Sequence, residues 1–390
     1  MTISFPDGFL WGTATAAHQV EGGNWNNDWW QFEHTPGTAA TEPSGDAVDH
    51  FWRYPDDIAM LADLGFGAYR FSLEWSRIEP EEGEFSNAAL DHYRRMIESC
   101  RDHDLVPVVT YHHFTTPRWA AADGGWDNPE IVGRFGRFCE RATAHFGDEI
   151  GMGCTINEPN VVSLIGYRLG AFPPGVNDRA AYDRVNENLK AAHRVAYDAI
   201  KSGPGDFLLG SCVAMGDWWS PEGSEKMLAD FRHMHEGQHL DAAKGDDYIG
   251  VQAYSRTRLT EHGKPLGGED GIEILDMGYE YWPQALEASI RHAAEVTGCP
   301  IYVTENGIGT TDDAQRIRYV TDALEGVGRC LNDGIDIRGY FYWSLMDNFE
   351  WAFGYRPQFG LVAVDRSTQV RTIKPSASWL GEIAQANRLE

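Results

Sequence analysis

The 390-residue sequence predicts an α/β fold, a single closed (β/α)8 barrel running from residue 1 to residue 390. Three observations point to it. Eight apolar runs of strand length alternate with segments of helical periodicity, the pattern of parallel βα units. Eight is also the number of parallel strands that closes such a barrel. No linker, low-complexity tract or break in composition divides the chain.

Taken in order, the first run is "FLWGTATA" (9–16), with Gln19 just after it. "GAYRFSLEW" (67–75) carries Arg70, and "LVPVVTYHH" (105–113) ends in His112 and His113. "GMGCTINE" (151–158) ends in Asn157 and Glu158, and "FLLGSCVAMG" (207–216) holds Cys212 in an apolar setting. "YIGVQAYSR" (248–256) carries Tyr254, "PIYVTENG" (300–307) reaches Glu305, and "IRGYFYWSLMD" (337–347) contains Trp343. Between most of them lie helical stretches such as "NAALDHYRRMIESCRDHD" and "AQRIRYVTDALEGVGRCLNDG", several closing on Gly as a helix C-terminus prefers. A doubly wound sheet would require a phosphate loop after the first strand, and "GTATAAHQVEGG" is not one.

Composition narrows the function. The formal net charge is −27, and Lys supplies only six of the 32 basic residues. Such a surface repels nucleic acid and anionic membranes, so neither is expected as a partner. It also strains the compact state unless salt screens it, which points to a salt-accumulating, halophilic cytoplasm. The six Cys are scattered without a CxxC pair, and Cys154 and Cys212 read as small buried hydrophobes. The segment "MTISFPDGFLWG" has neither a basic region nor an apolar core of signal type, and no stretch has transmembrane length. A reduced, cytoplasmic, soluble protein is expected.

"TINEPN" (155–160) ends an apolar run in an amide, a carboxylate and a proline. Proline would terminate a strand there whatever the function, but "TENG" (304–307) ends a second run in another carboxylate. Chemistry in such barrels sits at the C-terminal ends of the strands. There the sequence gathers amide, imidazole, guanidinium, phenol, indole and two carboxylates, a pocket for a neutral, hydroxyl-rich ligand. Amides and imidazoles hydrogen-bond hydroxyls, and indole faces pack on the C–H face of a sugar ring.

These residues carry a resemblance. "FPDGFLWGTATAAHQVEG", "YRFSLEWSRIEP", "YHHFTTP", "TINEPN", "VTENG" and "GYFYWSLMDNFEWAFGYRPQFGLVAVD" follow in the order of the family 1 glycoside hydrolases, the β-glucosidase and β-galactosidase group, almost end to end. The resemblance implies a retaining exo-β-glycosidase for small β-glucosides or oligosaccharides, with galactosides and fucosides as further substrates. It implies Glu158 as acid/base and Glu305 as nucleophile, with Arg70 and Tyr254 holding Glu305 ionised and aimed. Gln19, His113, Asn157, Glu350 and Trp351 are implied as partners of sugar hydroxyls, Asn157 meeting the 2-OH. Trp343 is implied as the stacking platform, and Phe359 as part of the same sugar pocket. No cofactor or metal is implied.

The chemistry agrees with those roles. Retention needs two carboxyls ~5–5.5 Å apart, one protonated to release the leaving oxygen and one ionised to attack. A cation and a phenol beside Glu305 favour its charge, whereas Glu158 has no evident cation. The sequence departs from the family pattern at three places. Gln252-Ala253-Tyr254 stands where Asn-Tyr-Tyr is usual, which is expected to shift hydrogen bonds to Glu305. Gly153 replaces a frequent Trp, and the chain is short between about 217 and 247, which puts the leaving-group side in question. Glu350 opposes a phosphate at the sugar 6-position, with Arg356 the only base nearby.

Rival readings exist. "HEGQH" (235–239) fits the H-E-x-x-H pattern of zinc proteases, but it lies before the sixth strand, and a solvated helix face is expected instead. "GIG" (307–309) is too short for a dinucleotide loop. "NWNNDWW" (24–30) either lines the entrance or covers the barrel's edge, and His18 and His112 read as packed neighbours of the site. A transglycosidase would use the same intermediate, and a catalytically inactive sugar-binding barrel would typically lose one of the two Glu residues.

Overall fold

The computed structural model describes residues 2–390. Its centre is a closed barrel of eight parallel strands: β1 (Leu10–Ala14), β2 (Ala68–Ser72), β3 (Val106–His112), β4 (Met152–Asn157), β5 (Leu208–Trp219), β6 (Tyr248–Arg258), β7 (Ile301–Asn306) and β8 (Ile337–Trp343). Each strand pairs with its sequence neighbour, and β1 closes the ring on β8 through Leu10↔Gly339 to Ala14↔Trp343. This is the TIM-barrel architecture that the alternation of runs predicts. The strands begin and end within a few residues of the apolar runs, except that β5 and β6 continue past the rim and stay paired to Trp219↔Arg258.

The principal helices after successive strands are α1 (His50–Asp63), α2 (Asn87–Asp102), α3 (Ile131–Phe146), α4 (Arg179–Lys201), α5 (Glu225–Arg232), α6 (Ala285–Thr297), α7 (Asp313–Asn332) and α8 (Pro375–Ala386). Local chemistry sets their ends. Ser86, Asp178 and Asp312 cap α2, α4 and α7 by accepting from Ala89, Ala180 and Ala314 backbone N–H groups, each cap worth ~1 kcal/mol. Gly298 closes α6 in the left-handed conformation at φ 66°.

Alternation along each strand divides the core. Tyr69 and Phe71 of β2 face the helices in the main apolar cluster, whereas Ala68 joins a small second cluster with Val108, Met152, Tyr248, Tyr302 and Phe341. That second cluster fills the barrel interior from alternate positions, and Arg70, two residues beyond Ala68, therefore points inward above it. The chain ends meet outside the barrel, where Ile3 pairs with Leu389 and Ser4 with Arg388.

The segment holding "HEGQH" differs from expectation. It is not one regular helix but passes through a π-type turn over His233–Gly237. Nor is it a solvated face, because Glu236 and His239 are buried. Glu236 accepts from Trp218 Nε1 at 2.9 Å and pairs with Arg232, while His239 bonds Asn186 at 2.8 Å. The wide turn and these partners turn the polar groups in different directions, and among the described residues no group of three or more His, Cys, Asp or Glu is arranged to hold a metal ion.

Candidate active site

Asn157 and Glu305 owe their inward direction to an extra residue near a strand tip. On β4 the pairing with β5 steps from Cys154↔Gly210 to Asn157↔Cys212, three residues against two. Thr155 turns outward to His193 of α4 (2.7 Å), and Asn157 turns inward to Arg70. On β7 the pairing with β8 steps from Val303↔Tyr340 to Asn306↔Tyr342, again three against two. A bulge of this kind re-aims the side chains beyond it, and here it brings Glu305 to the inner face. Glu158 then leaves β4 with a left-handed backbone (φ 45°), and Phe114 (φ 68°) and Trp351 (φ 51°) share that conformation. All three line one cavity at the barrel mouth. A non-glycine residue held this way costs of order 1–3 kcal/mol and persists only where its surroundings enforce it.

The cavity has a volume of about 140 Å³ and is walled by Glu158, Glu305, Glu350, His113, Tyr254, Trp343, Trp351 and Phe359, among others. The Glu305 carboxylate accepts from Arg70 Nη1 (2.6 Å) through Oε1 and from the Tyr254 hydroxyl (2.6 Å) through Oε2. Arg70 is fully buried and also donates to Thr110 Oγ1 (3.1 Å) and to Asn157 Oδ1. Asn157 Oδ1 receives a second donor, Gln252 Nε2, at 2.8 Å, which leaves the Asn157 amide nitrogen facing His113 Nε2 at 3.2 Å. Gln19 donates to Glu350 Oε2 (3.2 Å), the Phe349 carbonyl (2.8 Å) and Asn348 (3.1 Å).

The two carboxyls stand in different fields. Burial pushes both upward, but at Glu305 the Arg70 guanidinium and the Tyr254 hydroxyl oppose it. Glu158 has no hydrogen-bonded cation, and burial followed by the nearby Glu305 charge drives it well above the carboxylate range. Glu350 is raised to about 8 by burial and then by Glu305, against donors from Trp343 and Gln19. Burial, reinforced by the Arg70 charge, holds His113 neutral. One cavity therefore contains two raised carboxyls in unlike settings, Glu305 with a cation and a phenol opposing its burial and Glu158 with no hydrogen-bonded cation, an asymmetry of the kind that acid-assisted nucleophilic displacement uses.

Of the residues the sequence singles out, Glu158, Glu305, His113, Tyr254, Trp343, Glu350, Trp351 and Phe359 line the cavity. Gln19, Arg70 and Asn157 lie behind its wall with no solvent exposure. His18 sits behind Trp351, nearly parallel to it (5.9 Å, 9°), and bonds Asn27 and Glu33; His112 packs on Trp126 (4.9 Å). Gln252, the departure from the family pattern, donates to Asn157 on β4 and leaves Arg70 and Tyr254 as the side-chain donors to Glu305. The "NWNNDWW" segment divides, Trp29 packing behind Trp351 (4.7 Å) while Trp25 stands 61% exposed elsewhere. Arg356 donates to the Asp276 carbonyl (2.9 Å). Phe114, Val161, Phe172, Met277 and Tyr279 complete the wall and escape sequence reasoning. All but Val161, which lies in the short helix Pro159–Ser163, belong to loops, where no periodicity marks them, although Phe114 directly follows His113.

The chain matches the sequence pattern described as Glycosyl hydrolase family 1 over residues 1–248 and 251–389. It is 32% identical to Beta-glucosidase A of Thermotoga maritima, the alignment covering 99% of each chain. It is 31% identical to the 1,4-beta-D-glucan glucohydrolase of Thermotoga neapolitana, again over 99% of each. Among solved structures, the beta-glycosidase BGL167 superposes with a TM-score of 0.91 at 48% identity, over 98% of this chain and 97% of that one. The beta-glucosidase from Thermotoga maritima in complex with deoxynojirimycin gives 0.93 at 30% identity, over the whole of both chains.

Proposed function

The chain belongs to glycosyl hydrolase family 1 and is a β-glucosidase-type glycoside hydrolase, and on that premise we propose that it removes terminal, non-reducing β-D-glucose with retention of configuration through a covalent glycosyl-enzyme. β-Galactosides and β-fucosides are further substrates of the same site. Glu305 is the nucleophile and Glu158 the acid/base. The observation that carries the reading is the asymmetry of the pair, with Arg70 and Tyr254 both bonded to Glu305 while Glu158 has no such partner.

In the first half-reaction Glu305 attacks the anomeric carbon, the glycosidic bond breaks, and Glu158 gives its proton to the departing oxygen. Loss of the Glu305 charge then removes one of the two main influences holding Glu158 protonated. Glu158 accordingly becomes the base that takes a proton from water as water displaces Glu305. Trp343, Trp351 and Phe359 supply apolar faces for the ring. His113 and Glu350 offer partners to its hydroxyls at the wall, with Gln19 and Asn157 behind them. The closed hydrogen-bond set of Arg70, Glu305, Asn157 and Tyr254 supports an active catalyst over an inactive sugar-binding barrel.

The same reading extends to setting: a single-domain, cytoplasmic, salt-adapted enzyme. Six free cysteines and the net charge of −27 support it, and no described helix is long and apolar enough to cross a membrane. The test is hydrolysis of p-nitrophenyl β-glucoside across a KCl series, with the first-formed anomer read by NMR and Glu305→Gly run in parallel. The β-anomer is expected first, with turnover rising toward molar KCl and absent from the variant. The α-anomer first would overturn retention, and full turnover at low salt would overturn the salt adaptation. Transfer to added sugar alcohol, measured in the same reaction, separates hydrolase from transglycosidase.

A further inference from the structure

Tyr254 reaches Glu305 from a stretch of β6 that neither neighbouring strand holds in register. Toward β7 the pairing runs from Ile249↔Ile301 to Gln252↔Glu305 and goes no further. Toward β5 it steps from Met215↔Ala253 to Asp217↔Arg256, three residues on β6 against two, so Tyr254 falls inside a bulge. A side chain is placed only as well as the backbone that carries it, and a contact to a reacting carboxylate tolerates little error.

Side chains take over where the ladder with β7 ends. Asn306 Nδ2 donates to the Ala253 carbonyl at 2.6 Å, and the Tyr319 hydroxyl donates to the Tyr254 carbonyl at 2.6 Å. The same hydroxyl accepts from Asn306 Nδ2 at 3.4 Å, while Asn306 Oδ1 accepts from the Tyr340 hydroxyl at 2.9 Å. Tyr319 belongs to α7, is fully buried, and forms no part of the wall of the mouth.

Packing alone does not call for a tyrosine here. The ring meets Tyr281 edge to face (5.6 Å, 83°) within the main apolar cluster, and a phenylalanine would fill that space equally. A buried hydroxyl costs free energy unless it is bonded, and this one is bonded to the carbonyl of the residue whose phenol touches the nucleophile. We propose that Tyr319 is a positioning residue for hydrolysis: through the Tyr254 carbonyl it sets the phenol of Tyr254 against Glu305. This rests on the reading of Glu305 as nucleophile.

The experiment follows kcat/KM on p-nitrophenyl β-glucoside against pH in full-length wild type, Tyr319→Phe, Tyr254→Phe and the double variant, with Glu305→Gly alongside. Glu305 faces Arg70 from β2, Tyr254 from β6, Glu158 from β4 and Glu350 after β8, and Tyr319→Phe alters none of these side chains. A looser phenol stabilises the Glu305 charge less, so the acidic limb should move to higher pH. Tyr319→Phe should lower kcat/KM about fivefold or more, with kcat falling more than KM rises. In the Tyr254→Phe background the phenol is already gone, so the second substitution should change kcat/KM by less than about twofold and leave the limb in place. An unmoved limb with kcat/KM within about twofold of wild type in Tyr319→Phe would overturn the proposal, as would equal losses in both backgrounds, the mark of a packing role alone. Limb position and KM do not depend on how much of a preparation is folded, so partial loss of folded protein leaves both readouts intact. If the reading of Glu305 itself fails, Glu305→Gly keeps its turnover and Tyr254→Phe leaves the limb unmoved, an outcome that overturns both readings and is distinct from an effect missing in Tyr319→Phe alone.

Discussion

Gln252→Met separates what Gln252 does for folding from what it does for the site. The amide of Gln252 makes one bond, Nε2 to Asn157 Oδ1 at 2.8 Å, and its carbonyl oxygen is buried without a partner. Methionine is unbranched and of similar size, so the substitution removes both polar atoms with little change of packing. Losing the bond costs ~1 kcal/mol, whereas relieving an unsatisfied buried oxygen returns ~1–3 kcal/mol. Asn157 Oδ1 keeps Arg70 as a donor, so no new orphan appears there. Global stability should therefore stay level or rise by up to ~2 kcal/mol. Activity should fall. With one donor gone the Asn157 amide is less firmly oriented, and with it the far end of the guanidinium that positions Glu305. A loss of ~1.4 kcal/mol in transition-state stabilisation is a tenfold drop in kcat/KM. Urea midpoints and kcat/KM on p-nitrophenyl β-glucoside, taken at one pH, decide the matter. Stability falling by more than ~2 kcal/mol would show that Gln252 carries no unsatisfied oxygen, and kcat/KM staying within about twofold would show that it does not orient Asn157.

Other expectations follow from the same geometry. Tyr254→Phe removes one of two donors to Glu305, so the acidic limb of kcat/KM should move to higher pH and kcat fall about tenfold or more; an unmoved limb would count against the contact. Glu305→Gln should lower the pKa of Glu158 as read by carbon-13 NMR, because the Glu305 charge is the second cause holding it up; an unchanged value would refute that influence. Glu350, raised to about 8, binds its proton more tightly folded than unfolded, so it withdraws stability as pH rises from ~4 to 8. Glu350→Gln should flatten that decline by an amount of order 4 kcal/mol, seen in denaturation midpoints at pH 5 and 8, and parallel profiles would refute the shift. Trp29→Ala empties the space behind Trp351 and should cost ~3–5 kcal/mol of stability while raising KM more than it lowers kcat.

How much of this was legible beforehand depends on whether the information is local. The barrel was, because each strand is a short apolar run and each long helix an amphipathic one. The identities of Glu158 and Glu305 were also legible, since a carboxylate at the end of a strand has few reasons to be there. Their meeting at the barrel mouth is expected from their place at strand ends, but alternation alone does not give it for Glu305. Strict alternation would carry Glu305 outward with Ile301 and Val303, and it is the extra residue before Asn306, visible only in the pairing with β8, that reverses it. Gln252 stands out in the sequence as a departure, but its partner Asn157 is not legible there, because the reach across to β4 depends on spacing between strands. Met277 and Tyr279 were invisible for a related reason: they arrive on the long connection between β6 and α6, where neither period nor turn chemistry distinguishes a wall residue from a solvated one. Glu236 was misplaced to the surface because a π-type turn breaks the periodicity used to find its face.

The pairing of Ile3–Ser4 with Arg388–Leu389 has a consequence for how the chain could be rewired. Asn387 strengthens that clasp, its carbonyl accepting from the Phe5 N–H (3.1 Å) and its side chain from Trp11 Nε1 (2.9 Å). Residues 3–4 and 388–389 are thus already neighbours. A brief flexible linker could join them, and new ends could be opened in the exposed stretch around 261–271, which forms no part of the wall of the mouth. In such a circular permutant the order of strands around the ring would be unchanged while their order of synthesis would begin with β7 and β8. The closed ring has no preferred starting point, so the carboxylate pair would be rebuilt from a chain in which Glu305 precedes Glu158.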